Sequence, residues 1–300
     1  MSSTQPPSNW GRWGPRDQLG TLNLITPEVR RAALGTVRSG RTVSCAREIV
    51  PGLRPYQRGA TAVEFDMLRS GADAPPDAAA GASERLGIVF HGRYVTHLDA
   101  PAHVFDRARL YNDGAAADVD TAGARTHAVT LAGDGIVTRG VLLDAARHRG
   151  VAELADGTSV AADELDAIAR AQGVVLRPGD AVLLRTGHAA RVASWRPGDT
   201  RLSGYAGWSA SCLPWLHRHD VAVVGADTAQ DPVPAPAGTT GYELHVTGIV
   251  RLGLWLLDNC DLEELAAACV AERRWDFLFV IAPLRLAGGT GSPVNPIAVF

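Results

Sequence analysis

The sequence predicts a mixed domain of helices and strands, and three observations lead to that class. Short apolar segments of strand length alternate with segments of helical period along most of the 300 residues. This alternation, with many short strands, fits an α/β or an α+β fold. Hydrophobic residues make up 46% of the chain, which supports a substantial core, and no Pro/Ser/Gly-rich linker separates two self-sufficient halves. We therefore predict a single domain over residues 1–300.

The chain begins with an irregular arm, predicted over about residues 1–27. Trp10 and Trp13 stand among glycines there, so the arm has to pack on its own domain or on a partner subunit. Thr26 followed by Pro27 is typical of a helix start, with Thr26 as N-cap and Pro27 at the first helical position. We expect this helix to end near Gly35.

Further elements follow from periodicity and turn residues. Low-complexity residues 70–84 predict a loop before the central strand. This loop could be a lid over the site or a plain surface insertion. Asp261 is predicted to N-cap the last helix, with Glu264 completing a capping box. The predicted strands are 41–50, 86–90, 140–144, 181–187, 221–227 and 275–282, and the later helices are 161–173, 208–219, one beginning near 245, and 261–272.

Composition argues against several classes of partner. The net charge is −3 and no basic block stands out, so neither nucleic acid nor an anionic membrane is an expected partner. The first residues lack a basic segment followed by an apolar one, and no run of about 18 apolar residues occurs. We expect a soluble, cytoplasmic protein. The four cysteines form no C-x-x-C pair and are expected to be reduced.

The most informative segment is residues 91–105, where three histidines and an aspartate fall within thirteen residues. In an extended chain His97 and Asp99 share a face, so they can meet the same metal ion or water. His103 would lie roughly 20 Å from His97 in a fully extended chain. It can join the site only if the chain turns, and Pro101 is a suitable place for that turn.

These residue types favour a metal site over a structural role. Histidines on a strand are commonly hydrogen-bonded core or surface residues, but an Asp and two His in apolar surroundings need charge compensation that a divalent cation supplies. A nitrogen and oxygen ligand set without thiolate suits zinc, manganese or iron(II).

The same segment resembles the signature of the putative cyclase family, which includes bacterial kynurenine formamidases, isatin hydrolases and trans-dienelactone hydrolases. The agreement covers Thr96, His97, Asp99, Pro101 and His103. These relatives are metal-dependent enzymes that open amides or lactones. One position of the signature differs, because the histidine expected four residues before His97 is replaced by Arg93; His91 lies two residues further back.

The resemblance implies a fold and a set of site residues. It implies a swivelling β/β/α architecture with a small barrel-like mixed sheet, assembled as a homodimer or homotetramer. The metal ligands implied are His97, Asp99, His245 and Asp258, the last standing where the relatives have Glu. Together with Arg93, this replacement favours one metal ion over two. Substrate contacts are expected from Arg93, Tyr111 and His91.

The activity expected is hydrolysis of a cyclic or aryl amide or lactone, a small-molecule substrate, by water activated on zinc or manganese. His103 is the expected general base and acid. Two alternatives stay open at this point. The same site could close a ring, as in a cyclase or dehydratase of polyketide-type metabolism, or the chain could be a metal-free binding scaffold.

Overall fold

The computed structural model describes residues 6–51, 63–196 and 202–300. These residues build a mixed sheet that curls into a half-barrel, with helices packed against it. The strands are β1 (Thr42–Ser44), β2 (Val63–Arg69), β3 (Ser83–Ile88), β4 (His97–Asp99), β5 (Val119–Asp120), β6 (Gly123–Ala124), β7 (Ile136–Asp144), β8 (Ser159–Val160), β9 (Ala181–Arg185), β10 (Gly207–Trp208), β11 (Val223–Ala226), β12 (Trp255–Asp258), β13 (Asp276–Ile281), β14 (Gly291–Pro293) and β15 (Ile297–Val299). The helices are α1 (Pro27–Leu34), α2 (Ala145–His148), α3 (Ala162–Gln172), α4 (His188–Ser194), α5 (Cys212–Arg218), a π-helix (Leu244–Arg251) and α6 (Glu263–Glu272).

The main sheet has the strand order β1-β15-β13-β7-β9-β11-β12-β4-β14. Its central strands β7, β9, β11 and β12 run parallel to one another. Strand β4 lies between β12 and β14 and runs antiparallel to both. The remaining strands form the separate pairs β2–β3, β5–β6 and β8–β10.

Two hydrophobic cores cover the two faces of the central strands, because successive side chains of a strand point to opposite faces. Leu142 and Leu183 belong to one core, whereas Leu143 and Leu184 belong to the other. All four are fully buried. Burial of each such side chain contributes roughly 1.5–3 kcal/mol. Because both faces are covered, residues 141–143 of β7 and 181–184 of β9 are continuous apolar runs.

Most of the predicted elements are confirmed, with shifts at their ends. Helix α1 begins at Pro27, and the Thr26 side chain accepts a hydrogen bond from the Val29 amide at 3.3 Å. Helix α3 ends before Gly173, whose φ of +67° is the left-handed conformation that glycine adopts readily. The strands predicted at 140–144, 181–187, 221–227 and 275–282 correspond to β7, β9, β11 and β13.

Three local predictions were wrong. The strand predicted at 41–50 extends only over Thr42–Ser44. The loop predicted at 70–84 contains a 3-10 turn and the first two residues of β3, which pairs with β2 in a hairpin. Helix α6 has Leu262 at its N-cap position, and the Asp261 side chain accepts a hydrogen bond from the Glu263 amide at 3.1 Å. The helix therefore starts one residue late for the predicted capping box, because its N-cap is Leu262 and not Asp261.

The N-terminal arm packs on its own domain within the described residues. The Asn9 side chain donates to the Leu252 carbonyl at 2.9 Å, and the Trp10 indole donates to the Val250 carbonyl at 2.6 Å. The arm therefore covers the end of the π-helix. Residues 1–5 lie outside the described part of the chain.

No helix in the described ranges is both long and apolar enough to cross a bilayer. The four cysteines are free and buried.

Candidate metal centre

Four histidines and two aspartates from distant parts of the chain converge beside β4. Two groups among them have ligand atoms within 4.8 Å of one another, and both groups include Asp99. One group is His91, Asp99 and His103, and the other is His97, Asp99 and Asp258. His245 approaches both aspartates from the π-helix.

Strand β4 places His97 and Asp99 on the same face and buries Leu98 in the core on the other. His97 Nε2 lies 3.5 Å from Asp99 Oδ1. His97 Nδ1 lies 2.8 Å from the Val95 carbonyl, which can only accept a hydrogen bond. This contact fixes the proton on Nδ1 and turns Nε2 towards the carboxylates.

A turn at Pro101 brings His103 back to β4. The His103 amide donates to the Ala100 carbonyl at 2.9 Å, which closes the turn around Pro101. His103 Nε2 then lies 3.8 Å from Asp99 Oδ2. The turn predicted at Pro101 is therefore present, and it brings His103 into contact with Asp99.

His91 joins the cluster through a bend that parity alone does not predict. Its Nδ1 lies 2.9 Å from Asp99 Oδ1, and its ring stacks on His103 with centroids 3.9 Å apart. Its Nε2 lies 3.1 Å from the Thr290 hydroxyl. The chain bends between 91 and 95 instead of continuing as a strand, with Gly92 at φ +156°. His91, predicted as a substrate contact, thus lies among the candidate ligands.

His245 lies in the first turn of the π-helix and is almost fully buried. Its Nε2 lies 3.5 Å from Asp258 Oδ2 and 3.8 Å from Asp99 Oδ2. Asp258 ends β12, directly opposite His97 on β4. The residues predicted as metal ligands are therefore adjacent to one another, although 161 positions separate His97 from Asp258 (258 − 97).

Arg93 and Tyr111 lie outside this cluster. The Arg93 guanidinium stands over the Tyr205 ring at 5.5 Å. Tyr111 is fully buried, and its hydroxyl donates to Asp17 Oδ2 at 3.1 Å, beneath the N-terminal arm. Tyr111 thus holds the arm in place.

Two further residues after β11, which the sequence reasoning missed, support the cluster. Asp231 Oδ2 lies 2.6 Å from His245 Nδ1. The Gln230 side-chain amide donates to Asp258 Oδ1 at 2.8 Å. Asp227, which directly follows β11, stands at an equally suitable strand end, but its carboxylate accepts backbone amides of residues 186–188. The sequence offers no local pattern that distinguishes Asp231 from Asp227.

Aromatic rings flank the cluster on two sides. Phe90 lies 4.5 Å from the His91 ring centroid and 6.0 Å from that of His97. Tyr242 stacks on His245 at 4.5 Å and is 41% exposed. Burial and the negative charges of Asp99 and Asp258 raise the pKa of the Tyr242 phenol. It therefore stays protonated beside the carboxylates.

The electrostatics divide the histidines into two kinds. Burial lowers the pKa of His103 to about 4, although Asp99 opposes that shift. For His245, burial favours the neutral ring, but the hydrogen bonds to Asp231 and Asp258 outweigh it and raise the pKa to about 10. Burial also disfavours the charge on Asp99, yet His103 and His97 lower the pKa of that carboxyl below its ordinary value.

The cluster fits a divalent cation. Asp99 is fully buried, and none of the described residues donates a well-directed hydrogen bond to either of its oxygens. A buried carboxylate without such donors is costly unless a cation compensates it. The available donors are imidazole nitrogens and carboxylate oxygens, which suit zinc and manganese.

The chain is similar to proteins of a known family and of known structure. A sequence model of the family described as putative cyclase matches residues 46–230. A crystal structure described as a novel cyclase is 30% identical over 98% of this chain and 100% of that chain, with a TM-score of 0.88. A comparison with curated protein sequences gives no significant match.

Two more distant structures share the fold. Isatin hydrolase A from Ralstonia solanacearum is 23% identical over 92% of this chain and 98% of its own, with a TM-score of 0.58. A structure described as a predicted metal-dependent hydrolase from Bacillus stearothermophilus is 15% identical over 86% of this chain and 97% of its own, with a TM-score of 0.54.

Proposed function

Because the chain belongs to the putative cyclase family, we propose that it is a metal-dependent hydrolase that opens a cyclic or aryl amide or lactone. The observation that carries the proposal is the buried Asp99 carboxylate, which faces four histidines and a second aspartate. The likeness to structures described as isatin hydrolase and metal-dependent hydrolase supports it.

The metal would be held by His97, Asp99, His245 and Asp258, whose donor atoms face one another. His91 is a fifth candidate ligand through its contact with Asp99. We propose zinc, with manganese as the other candidate, since this donor set suits both. When bound, such an ion lowers the pKa of a coordinated water from about 15.7 towards 7 and polarises a carbonyl oxygen.

His103 is the proposed general base. Its pKa of about 4 keeps the ring neutral at pH 7, so its Nε2 can accept a proton. The side chain is 20% exposed, in contrast to His97 and Asp99, and can therefore reach a substrate. Stacking on His91 holds the plane of the ring. The same nitrogen would then return the proton to the leaving group.

Substrate contacts are proposed from both sides of the cluster. Phe90 and Tyr242 present aromatic faces next to the histidines, which suits a flat ring in a small-molecule substrate. Arg93 is exposed and permanently charged, and we propose that it binds a carboxylate at the rim. Tyr111 would act by holding the arm as part of the wall. We further propose a homodimer or homotetramer.

Metal content is the first test. The protein would be purified without chelator or affinity metal and analysed by inductively coupled plasma mass spectrometry beside Asp99→Ala. We expect close to one zinc or manganese ion per chain, and loss of that ion in the variant. Two ions would show that both groups around Asp99 bind metal. Absence of metal from the wild type, even after reconstitution, would overturn the hydrolytic proposal.

Activity is then assayed with aryl amides and lactones on the metal-loaded protein. Product analysis in both directions separates ring opening from ring closure, since the same acid, base and metal could catalyse either. Turnover of the open acids alone would favour the cyclase alternative.

A further inference from the structure

Two adjacent residues each form a hydrogen bond to one member of the cluster. The Asp231 carboxylate contacts His245 Nδ1 at 2.6 Å, and the Gln230 amide donates to Asp258 Oδ1 at 2.8 Å. Gln230 is fully buried and Asp231 is 4% exposed. A single dipeptide therefore holds His245 and Asp258, whose Nε2 and Oδ2 lie 3.5 Å apart.

Asp231 fixes the orientation of His245. Its carboxylate accepts the Leu244 amide at 2.8 Å and the His245 amide at 3.3 Å, in addition to the ring contact. Because an ionised carboxylate only accepts hydrogen bonds, His245 Nδ1 must carry a proton and Nε2 is the nitrogen that faces the aspartates. Asp231 thereby selects both the ring position and the nitrogen available to a cation.

Gln230 fixes the orientation of the Asp258 carboxylate. Its amide nitrogen donates to Asp258 Oδ1 and also to the Leu257 carbonyl at 2.9 Å. Oδ1 is thus occupied, and Oδ2 is the oxygen directed at His97 and His245. A carboxylate held in this way presents one defined oxygen to the cluster.

The surrounding fold imposes the conformation of this dipeptide. Gln230 has a φ of +58°, in the left-handed region that is unfavourable for a non-glycine residue. Its carbonyl accepts the Trp208 amide at 2.9 Å, and a Cβ atom at Gly207 would lie 2.0 Å from that carbonyl oxygen. Only glycine at 207 permits this close approach, so the strain at Gln230 is held by packing against β10.

We propose that Gln230 and Asp231 are positioning residues that preorganise Asp258 and His245 for a divalent cation. They act through those two side chains. The inference rests on the proposed function, because it requires that the cluster bind a metal ion. Outer-sphere partners of this kind typically change metal affinity by about 10–100-fold.

Cobalt(II) binding tests the proposal without an activity assay. Its visible spectrum reports coordination geometry, and competition with a chromophoric chelator gives the affinity. We expect Asp231→Asn and Gln230→Met to bind cobalt about 10–100-fold more weakly than wild type, with altered spectra. Asp227→Asn is the matched control. It changes a buried carboxylate after the same strand, whose partners among the described residues are backbone amides and the Thr186 hydroxyl.

Thermal unfolding of the metal-free proteins separates folding from positioning. The proposal is supported if Asp227→Asn is less stable than wild type but keeps the wild-type cobalt spectrum, while Asp231→Asn and Gln230→Met have altered spectra. Wild-type affinity and spectrum in both Asp231→Asn and Gln230→Met overturn it while leaving the metal site intact. A wild-type protein that binds no cobalt overturns the proposed function together with this inference.

Discussion

His97 and Asp258 lie directly opposite one another on antiparallel strands β4 and β12, with His97 Nε2 3.9 Å from Asp258 Oδ2. Their contact is a cross-strand pair on one face of the sheet. A shift of the register by one residue would turn one of them to the other face, so the strand pairing itself sets the relative position of these two proposed ligands.

Replacement of Asp258 by Asn tests this pair. Asn keeps the shape and can still accept the Gln230 bond at Oδ1, but it removes the negative charge facing His97 and His245. Removal of an outer-sphere partner typically lowers metal affinity by roughly 10–100-fold. We expect the zinc affinity of this variant to fall by at least that factor, with little change in unfolding temperature. Asp261→Asn, three residues away, should bind zinc as wild type does. Equal zinc affinity in the two variants would remove Asp258 from the ligand set.

The proposed base has a separate test. In the metal-loaded enzyme, His103→Ala should lower kcat by about 10²–10⁴-fold, because the group that accepts the proton of the attacking water is lost. Metal content should stay near that of wild type, as His97, Asp99, His245 and Asp258 are unchanged. His217→Ala, on α5, serves as the control and should retain activity. Near-normal turnover in His103→Ala would assign the base to another group.

Tyr111 couples the arm to the domain, and its removal should loosen the arm. In Tyr111→Phe the bond to Asp17 is lost, and we expect the free energy of unfolding to fall by about 1 kcal/mol. Hydrogen exchange at the amides of Asn9 and Gly11 should quicken, since these residues bond to the π-helix and to Asn112. Tyr94→Phe removes a comparable bond to the Glu48 carbonyl elsewhere and should leave exchange in the arm unchanged. An altered KM with unchanged exchange would instead indicate a direct substrate contact.

Buried His188 makes stability depend on pH. Burial and the charge of Arg47 lower its pKa to about 3, against about 6.5 in an unfolded chain. Below pH 6.5 the unfolded chain therefore binds more protons than the folded protein, so stability falls as the pH drops from about 6.5 towards 3. The loss is at most about 1.4 kcal/mol per pH unit for this residue.

Urea unfolding at pH 7, 6 and 5 measures that dependence. His188→Gln should give a shallower decline than wild type, since no imidazole remains to be protonated at that position. His148→Gln alters an exposed histidine and should follow the wild-type curve. Parallel curves for wild type and His188→Gln would mean that His188 is already protonated in the folded protein.

Parts of the site follow from sequence because they depend on local rules. Strand parity places His97 and Asp99 together, and the restriction that Pro101 puts on the chain produces the turn that returns His103. No local rule connects these residues to His245 and Asp258, which came from the resemblance to a family. The contacts of Gln230 and Asp231 could not be predicted from the sequence. The path of the loop after β11 is set by packing against Gly207, and that path determines which residues its side chains contact.

Two predictions made from sequence patterns differ from the structure. Alternation in 41–50 suggested a strand, but only three residues find a partner, on β15. His91 was expected to contact the substrate, whereas the bend before β4 directs its ring at Asp99. Periodicity indicates which side chains could share a face of a strand. The length of the strand depends on where a neighbouring strand is available to pair with it.

The position of β4 in the sheet also constrains when the centre can form during synthesis. The two strands that flank β4 are β12 and β14, at residues 255–258 and 291–293, so the segment with His97 and Asp99 has neither sheet neighbour until nearly the whole chain has left the ribosome. A nascent chain released before residue 255 would carry those two side chains without Asp258 and without a strand to align them. Binding of the proposed ion is accordingly expected to be a late, post-translational event.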